Sequence, residues 1–69
     1  MTTLNEILNL GFSAHNANVP VSEEYTNGMV KVQVCNGLVV GVYMMDIKVD
    51  GIRNVSELTY LCKRVNAQA

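Results

Sequence analysis

The sequence predicts a small two-layer α+β domain of order α-β-β-β-(β)-α, an antiparallel three- to four-stranded meander packed against two helices. Three observations carry this. Two Asn-Gly pairs, Asn27-Gly28 and Asn36-Gly37, stand among alternating apolar residues, the strongest short-range signal for hairpins. Helix-capping pairs, Thr3 with Glu6 and Asn54 with Glu57, stand near the two ends of the chain. The 69 residues are 49% hydrophobic, enough for one core and too few for two, so residues 1–69 read as a single domain.

The first helix is predicted over about Leu4–Leu10. Thr3 caps it, Leu4, Ile7 and Leu8 share one face, and Gly11 closes it in the left-handed conformation. Phe12 then packs back on the last turn. Ser13 to Asn18 is polar and reads as a loop. Pro20 cannot donate a ladder hydrogen bond, so any strand around it is an edge strand.

Register follows by arithmetic. A two-residue turn at Asn36-Gly37 pairs Cys35 with Leu38, Val34 with Val39, Val32 with Gly41 and Val30 with Tyr43. A similar turn at Asn27-Gly28 pairs Thr26 with Met29, Tyr25 with Val30, Glu24 with Lys31 and Val21 with Val34. Together they put Val21, Tyr25, Val30, Val32, Val34, Val39 and Tyr43 on one face, with Glu24 and Lys31 on the other. Glu23 fits badly opposite Val32 and calls for a solvated edge or a bulge. Met45, Ile47 and Val49 continue the apolar face while Asp46, Lys48 and Asp50 point away. Asp50-Gly51 is a third turn signal, returning Ile52-Arg53 as a brief fourth strand.

The second helix is predicted over about Val55–Asn66. Val55, Leu58, Leu61, Cys62 and Val65 form its apolar stripe, opposite Glu57, Tyr60, Lys63 and Arg64. Lys63 and Arg64 lie near the end where the helix dipole favours cations. Ala67-Gln68-Ala69 is expected to fray. The apolar sheet face needs a cover, and the two helices supply it.

The composition excludes several jobs. Five Lys+Arg against six Asp+Glu give a net charge of -1, so no long-range capture of nucleic acid or anionic membrane is expected. The longest apolar run, Leu38–Met45, falls far short of the roughly 18 residues a membrane span needs. No basic stretch precedes an apolar one near Met1, so the reading is cytoplasmic. Cys35 and Cys62 fit no zinc or redox spacing and read as reduced thiols. No metal or cofactor is expected. His15, the only histidine, lies in a predicted loop, away from the turn that holds Cys35 and the helix stripe that holds Cys62. Glu23 and Glu24 point to opposite faces of a strand. Asp46 and Asp50 share a face with a competing Lys48. Asn54-Val-Ser56 matches a glycosylation sequon but reads as a helix cap. No Gly-rich phosphate loop is present, and no enzyme is expected.

The face left for a partner carries Leu38, Val40, Val42 and Met44, with Met29 and Cys35 beside them and Lys31, Gln33 and Glu24 as its polar part. Contiguous apolar surface of this kind marks an interface, and methionines adapt to partners. Met29, Leu38, Val40, Val42 and Met44 are therefore read as anchors and Lys31 or Glu24 as rim. A curled sheet, or residues 13–20 folded across it, would instead cover this face. The expected function is a non-enzymatic protein-binding module, an inhibitor or adaptor acting by steric occlusion. Its size and lack of motifs are similar in genre to small phage-encoded inhibitors of host machinery, such as anti-CRISPR proteins. The alternatives are nucleic-acid binding through Lys31, Lys48, Arg53, Lys63 and Arg64, and self-association as a homodimer.

The element order, and the stretch Val30-Lys-Val-Gln-Val-Cys-Asn-Gly-Leu-Val-Val-Gly-Val42, resemble the double-stranded-RNA-binding domain and its central hairpin over most of the chain. The resemblance implies that family's α-β-β-β-α topology. A lysine-rich start of the second helix grips phosphates in that family. The matching positions here read Asn54-Val-Ser-Glu57, without a lysine, so the implied likeness is one of topology.

Overall fold

The computed structural model describes residues 2–16 and 22–67. Along the chain run α1 (Leu4–Asn9), β1 (Ser13–Asn16), β2 (Glu23–Asn27), β3 (Val30–Cys35), β4 (Leu38–Met44), β5 (Ile47–Lys48) and α2 (Val55–Asn66). The strands form one sheet in the order β1-β2-β3-β4-β5, each antiparallel to its neighbour. Both helices pack on one face, giving the expected α+β layers. The readings of Pro20 as an edge residue, of Val21 opposite Val34 and of a frayed Gln68-Ala69 fall outside the described residues. Among the described residues, no helix is long and apolar enough to cross a membrane.

The helices start where their caps dictate. Thr3 and Glu6 form a complete capping box, the Glu6 amide donating to Thr3 Oγ1 and the Thr3 amide to Glu6 Oε1. At the other end Gly11 takes a φ of 94°, which lets the Phe12 amide donate to the Ile7 carbonyl and buries the Phe12 ring. In α2 the Asn54 side chain accepts from the Glu57 amide, and Glu57 reaches back one residue further, to the Arg53 amide. Ile7 from α1, Leu58 and Cys62 from α2, and Val30, Val32 and Val34 from β3 close the core.

Four features correct the sequence reading. Ser13–Asn16 is a strand rather than a loop, with Ser13 opposite Thr26 and Ala14 opposite Tyr25. It pairs the backbone of β2, which would otherwise be an open edge. Its polar side chains carry no alternation, so nothing in the pattern announces it.

The turn between β2 and β3 is one residue further on than predicted. Asn27 pairs with Val30, Tyr25 with Val32 and Glu23 with Val34, and the loop residues are Gly28 and Met29. Gly28, at a φ of 60°, occupies the first central position, as a type II′ turn requires. Both strands slip together, so the faces are preserved and Lys31 still sits 3.5 Å from Glu24. Glu23 takes the solvated alternative, exposed while accepting a hydrogen bond from the Tyr25 hydroxyl.

A bulge interrupts β4. Val34 faces Val39 but Gln33 faces Gly41, leaving Val40 as the extra residue. Beyond it every side chain is inverted from the expected register. Val42 lies opposite Val32 in the core at 5% exposure, and Tyr43 lies opposite Lys31 on the outer face. The outer edge of β4 changes partner at this point. Leu38 bridges Thr3 and the Val39 amide donates to Thr2, whereas Tyr43 and Met44 pair with β5. Gly41 admits the Tyr43 ring beside it, where a Cβ would approach that ring to 3.1 Å.

The last reversal is at Met45-Asp46, with φ values of 51° and 68°, and not at Asp50-Gly51. It returns Ile47-Lys48 as the edge strand, while Ile52-Arg53 forms none.

Candidate partner-binding surface

The bulge divides the predicted partner residues into separate groups. Val42 belongs to the core and is not available as an anchor while the fold is intact. Leu38 and Val40, 36% and 58% exposed, flank the β3–β4 turn end. Met29 and Met44 lie at the opposite end of the sheet, Met44 facing Val30 on the helix-bearing side.

Between these groups the outer face is polar. Lys31 Nζ lies 3.3 Å from Asp46 Oδ1 and 5.8 Å from the centre of the Tyr43 ring. The Tyr43 hydroxyl donates to Gln33 Oε1. The Asp46 hydrogen bond, with Glu24 adding to it, holds the Lys31 pKa above its ordinary value against an opposing effect of desolvation. Lys31 therefore already has anionic partners and an aromatic platform. Among the described residues no helix or strand covers this face. Ser13–Asn16, part of the segment that would alternatively have covered this face, extends the sheet sideways as β1.

Met29, Met44, Met45 and Val65 line a shallow apolar hollow of about 260 Å³ at the far end. It forms because the β2–β3 and β4–β5 turns emerge side by side, joined by the Met45 amide donating to the Met29 carbonyl. Ile47, opposite Met44, borders it. Met45 and Ile47 are the most exposed large apolar side chains described, at 64% and 66%. Alternation and helical periodicity place Met45, Ile47 and Val65 in the core; Val65 does pack against it, whereas Met45 and Ile47 project into solvent. The available signal was compositional: three of the four methionines fall in the two turns and the strand end that meet here.

A second apolar groove of about 380 Å³ runs along the outer side of α2, lined by Ile52, Tyr60, Leu61 and Arg64 among others. Arg64 donates to the Tyr60 hydroxyl one turn away on the same helix.

The reactive side chains stay apart. Cys62 is buried, which pushes its thiol pKa up; Cys35 is half-buried on the outer face, and both are free. His15 is exposed on β1. No group of three His, Cys, Asp or Glu able to hold a metal occurs among the described residues. The basic residues are divided too. Lys31 is on the outer sheet face, Lys48 on β5 and Arg53 ahead of α2, while Lys63 and Arg64 project from the exposed side of α2. Comparison with family models, with curated proteins and with solved structures gave no match.

Proposed function

We propose that the chain is a non-enzymatic protein-binding module, an inhibitor or adaptor that occludes a site on its partner, with the methionine end as its contact surface. One observation carries this. Met45 occupies the first central position of the β4–β5 turn at a φ of 51°, where a side-chain-bearing residue is strained and Asn or Gly is favoured. Its side chain gains little burial in return. A residue that serves the turn poorly and projects into solvent beside Met29, Met44 and Ile47 is one kept for contact outside the chain. The setting proposed is the reducing cytoplasm, supported by the free thiols of Cys35 and Cys62. Small phage-type inhibitors of host machinery are the genre to which such a module would belong.

Met45→Asn tests the reading because fold and function predict opposite signs. The variant should be more stable by about 0.5–1 kcal/mol, since Asn suits the turn. It should also lose a stoichiometric protein that co-purifies with the tagged chain from its native cells. Retention of that protein by Met45→Asn would move the contact to the Leu38–Val40 corner, where Val40→Asp is the matching variant. Recovery of self-copies alone would identify a homodimer. Nucleic acid removable by nuclease would identify the basic residues as the working groups.

A further inference from the structure

We infer that Asn36 is a deamidation site, and that reaction there releases the clamp holding the N-terminal segment on the β3–β4 hairpin. The step needs only water. The backbone nitrogen of Gly37 attacks Asn36 Cγ. The new C–N bond closes a five-membered succinimide, the bond to the side-chain nitrogen breaks, and ammonia departs with the backbone proton. Water then opens the ring at either carbonyl, leaving aspartate or isoaspartate. A following glycine favours closure, because it has no side chain to shield the attacking nitrogen and its backbone turns freely.

The chain holds two Asn-Gly pairs, and the structure sets them apart. Asn27 donates through Nδ2 to the Leu10 carbonyl, while its own carbonyl accepts from Asn66 Nδ2. The Asn66 amide lies against Gly28 so closely that a Cβ there would collide with it. Moving Gly28 nitrogen onto Asn27 Cγ requires these contacts to break. Asn36 is exposed, and its side chain has no hydrogen bond among the described residues. Nothing lies within 4 Å of the position a Gly37 Cβ would take. The Gly37 nitrogen likewise has no acceptor among the described residues; beyond the Cys35–Leu38 closing pair, the turn is tied through its carbonyl, which accepts from the Leu4 amide at 2.8 Å.

The product matters because of that tie. Isoaspartate routes the main chain through the side-chain carbon and lengthens a two-residue turn whose φ values are 53° and 78°. The Leu4–Gly37 bond and the adjoining Thr3–Leu38 bridge both depend on that turn.

The test incubates the full chain in mildly alkaline buffer, native and in denaturant, and maps residues 27 and 36 by peptide mass spectrometry. Isoaspartate is scored by methyltransferase labelling. Native Asn36 should react at least about tenfold faster than Asn27, whose reaction waits on local opening, and the two should converge in denaturant. Equal native rates, or a faster Asn27, would overturn the assignment. Asn66→Ala should raise the Asn27 rate toward that of Asn36. If that variant unfolds, the wild-type ratio alone decides. The deamidated fraction, separated from the parent by its extra charge and scored for isoaspartate, should melt below the parent; an unchanged Tm would overturn the clamp.

Discussion

The two Asn-Gly turns share a dipeptide and little else. At Asn36-Gly37 both residues take positive φ and the strands pair as the dipeptide alone predicts, Cys35 with Leu38 and Val34 with Val39. At Asn27-Gly28 the asparagine is drawn into the strand, and the loop moves on to Gly28-Met29. The cause is tertiary. Asn66 at the end of α2 accepts from the Met29 amide at 3.0 Å and donates to the Asn27 carbonyl, while Asn27 caps the end of α1 through Leu10. A hairpin dipeptide thus specifies that the chain reverses. Which two residues form the loop is decided by the backbone groups that must find partners around it.

The largest predicted effect lies along the strand that leaves the free turn. Val42→Asp places a carboxylate in the core and should unfold the chain, a loss above about 4 kcal/mol. Val40→Asp, two residues away at the bulge, should change stability by no more than about 0.5 kcal/mol. Chemical denaturation of the pair tests the bulge directly: without it the two positions would share a face, and the variants would behave alike.

Next in size is the comparison of the turns themselves. Gly28→Ala adds left-handed strain at a φ of 60° and drives a methyl group into the Asn66 amide, breaking its bonds to Met29 and Asn27. The expected loss is about 2–4 kcal/mol. Gly37→Ala carries the strain alone, since the space around it is open, and should cost about 1–2 kcal/mol. Equal losses in thermal melts would mean that Asn66 does not anchor the first turn.

The same contrast separates what the sequence revealed from what it hid. Capping and helical spacing are local, so the Thr3–Glu6 box and the Val55–Asn66 helix stood at their expected places. The one-residue slip at Asn27 escaped because Asn66 is 39 residues away. The bulge at Val40 escaped because Leu38–Met44 is a continuous apolar run, which looks identical with or without an inserted residue. That error divided the candidate site, leaving Val42 in the core and Met44 at the methionine end. Met45-Asp46 was passed over as a turn because neither residue is glycine, and with it went the exposure of Met45 and Ile47.

The smallest predicted effect is one of pH and falls at the anchored end. Among the described residues three groups hold their protons above the ordinary range: Tyr25, through its hydrogen bond to Glu23 and its burial; Lys31, through Asp46 first and Glu24; and Cys62, through burial. In each the folded state binds the proton more tightly than the unfolded state. The stability they contribute is therefore complete below the unfolded pKa and is lost as pH rises. Cys62 acts first, from about pH 8.5, with Tyr25 and Lys31 following near pH 10. Cys62 lines a hollow with Leu10, Asn27 and Asn66, at the anchored turn. Melting temperature should thus fall on the alkaline side, beginning at that end. Cys62→Ala should lower stability at neutral pH yet remove the first part of the decline. An unchanged pH profile in that variant would place the alkaline loss on Tyr25 and Lys31 instead, in the strands that run into the same turn.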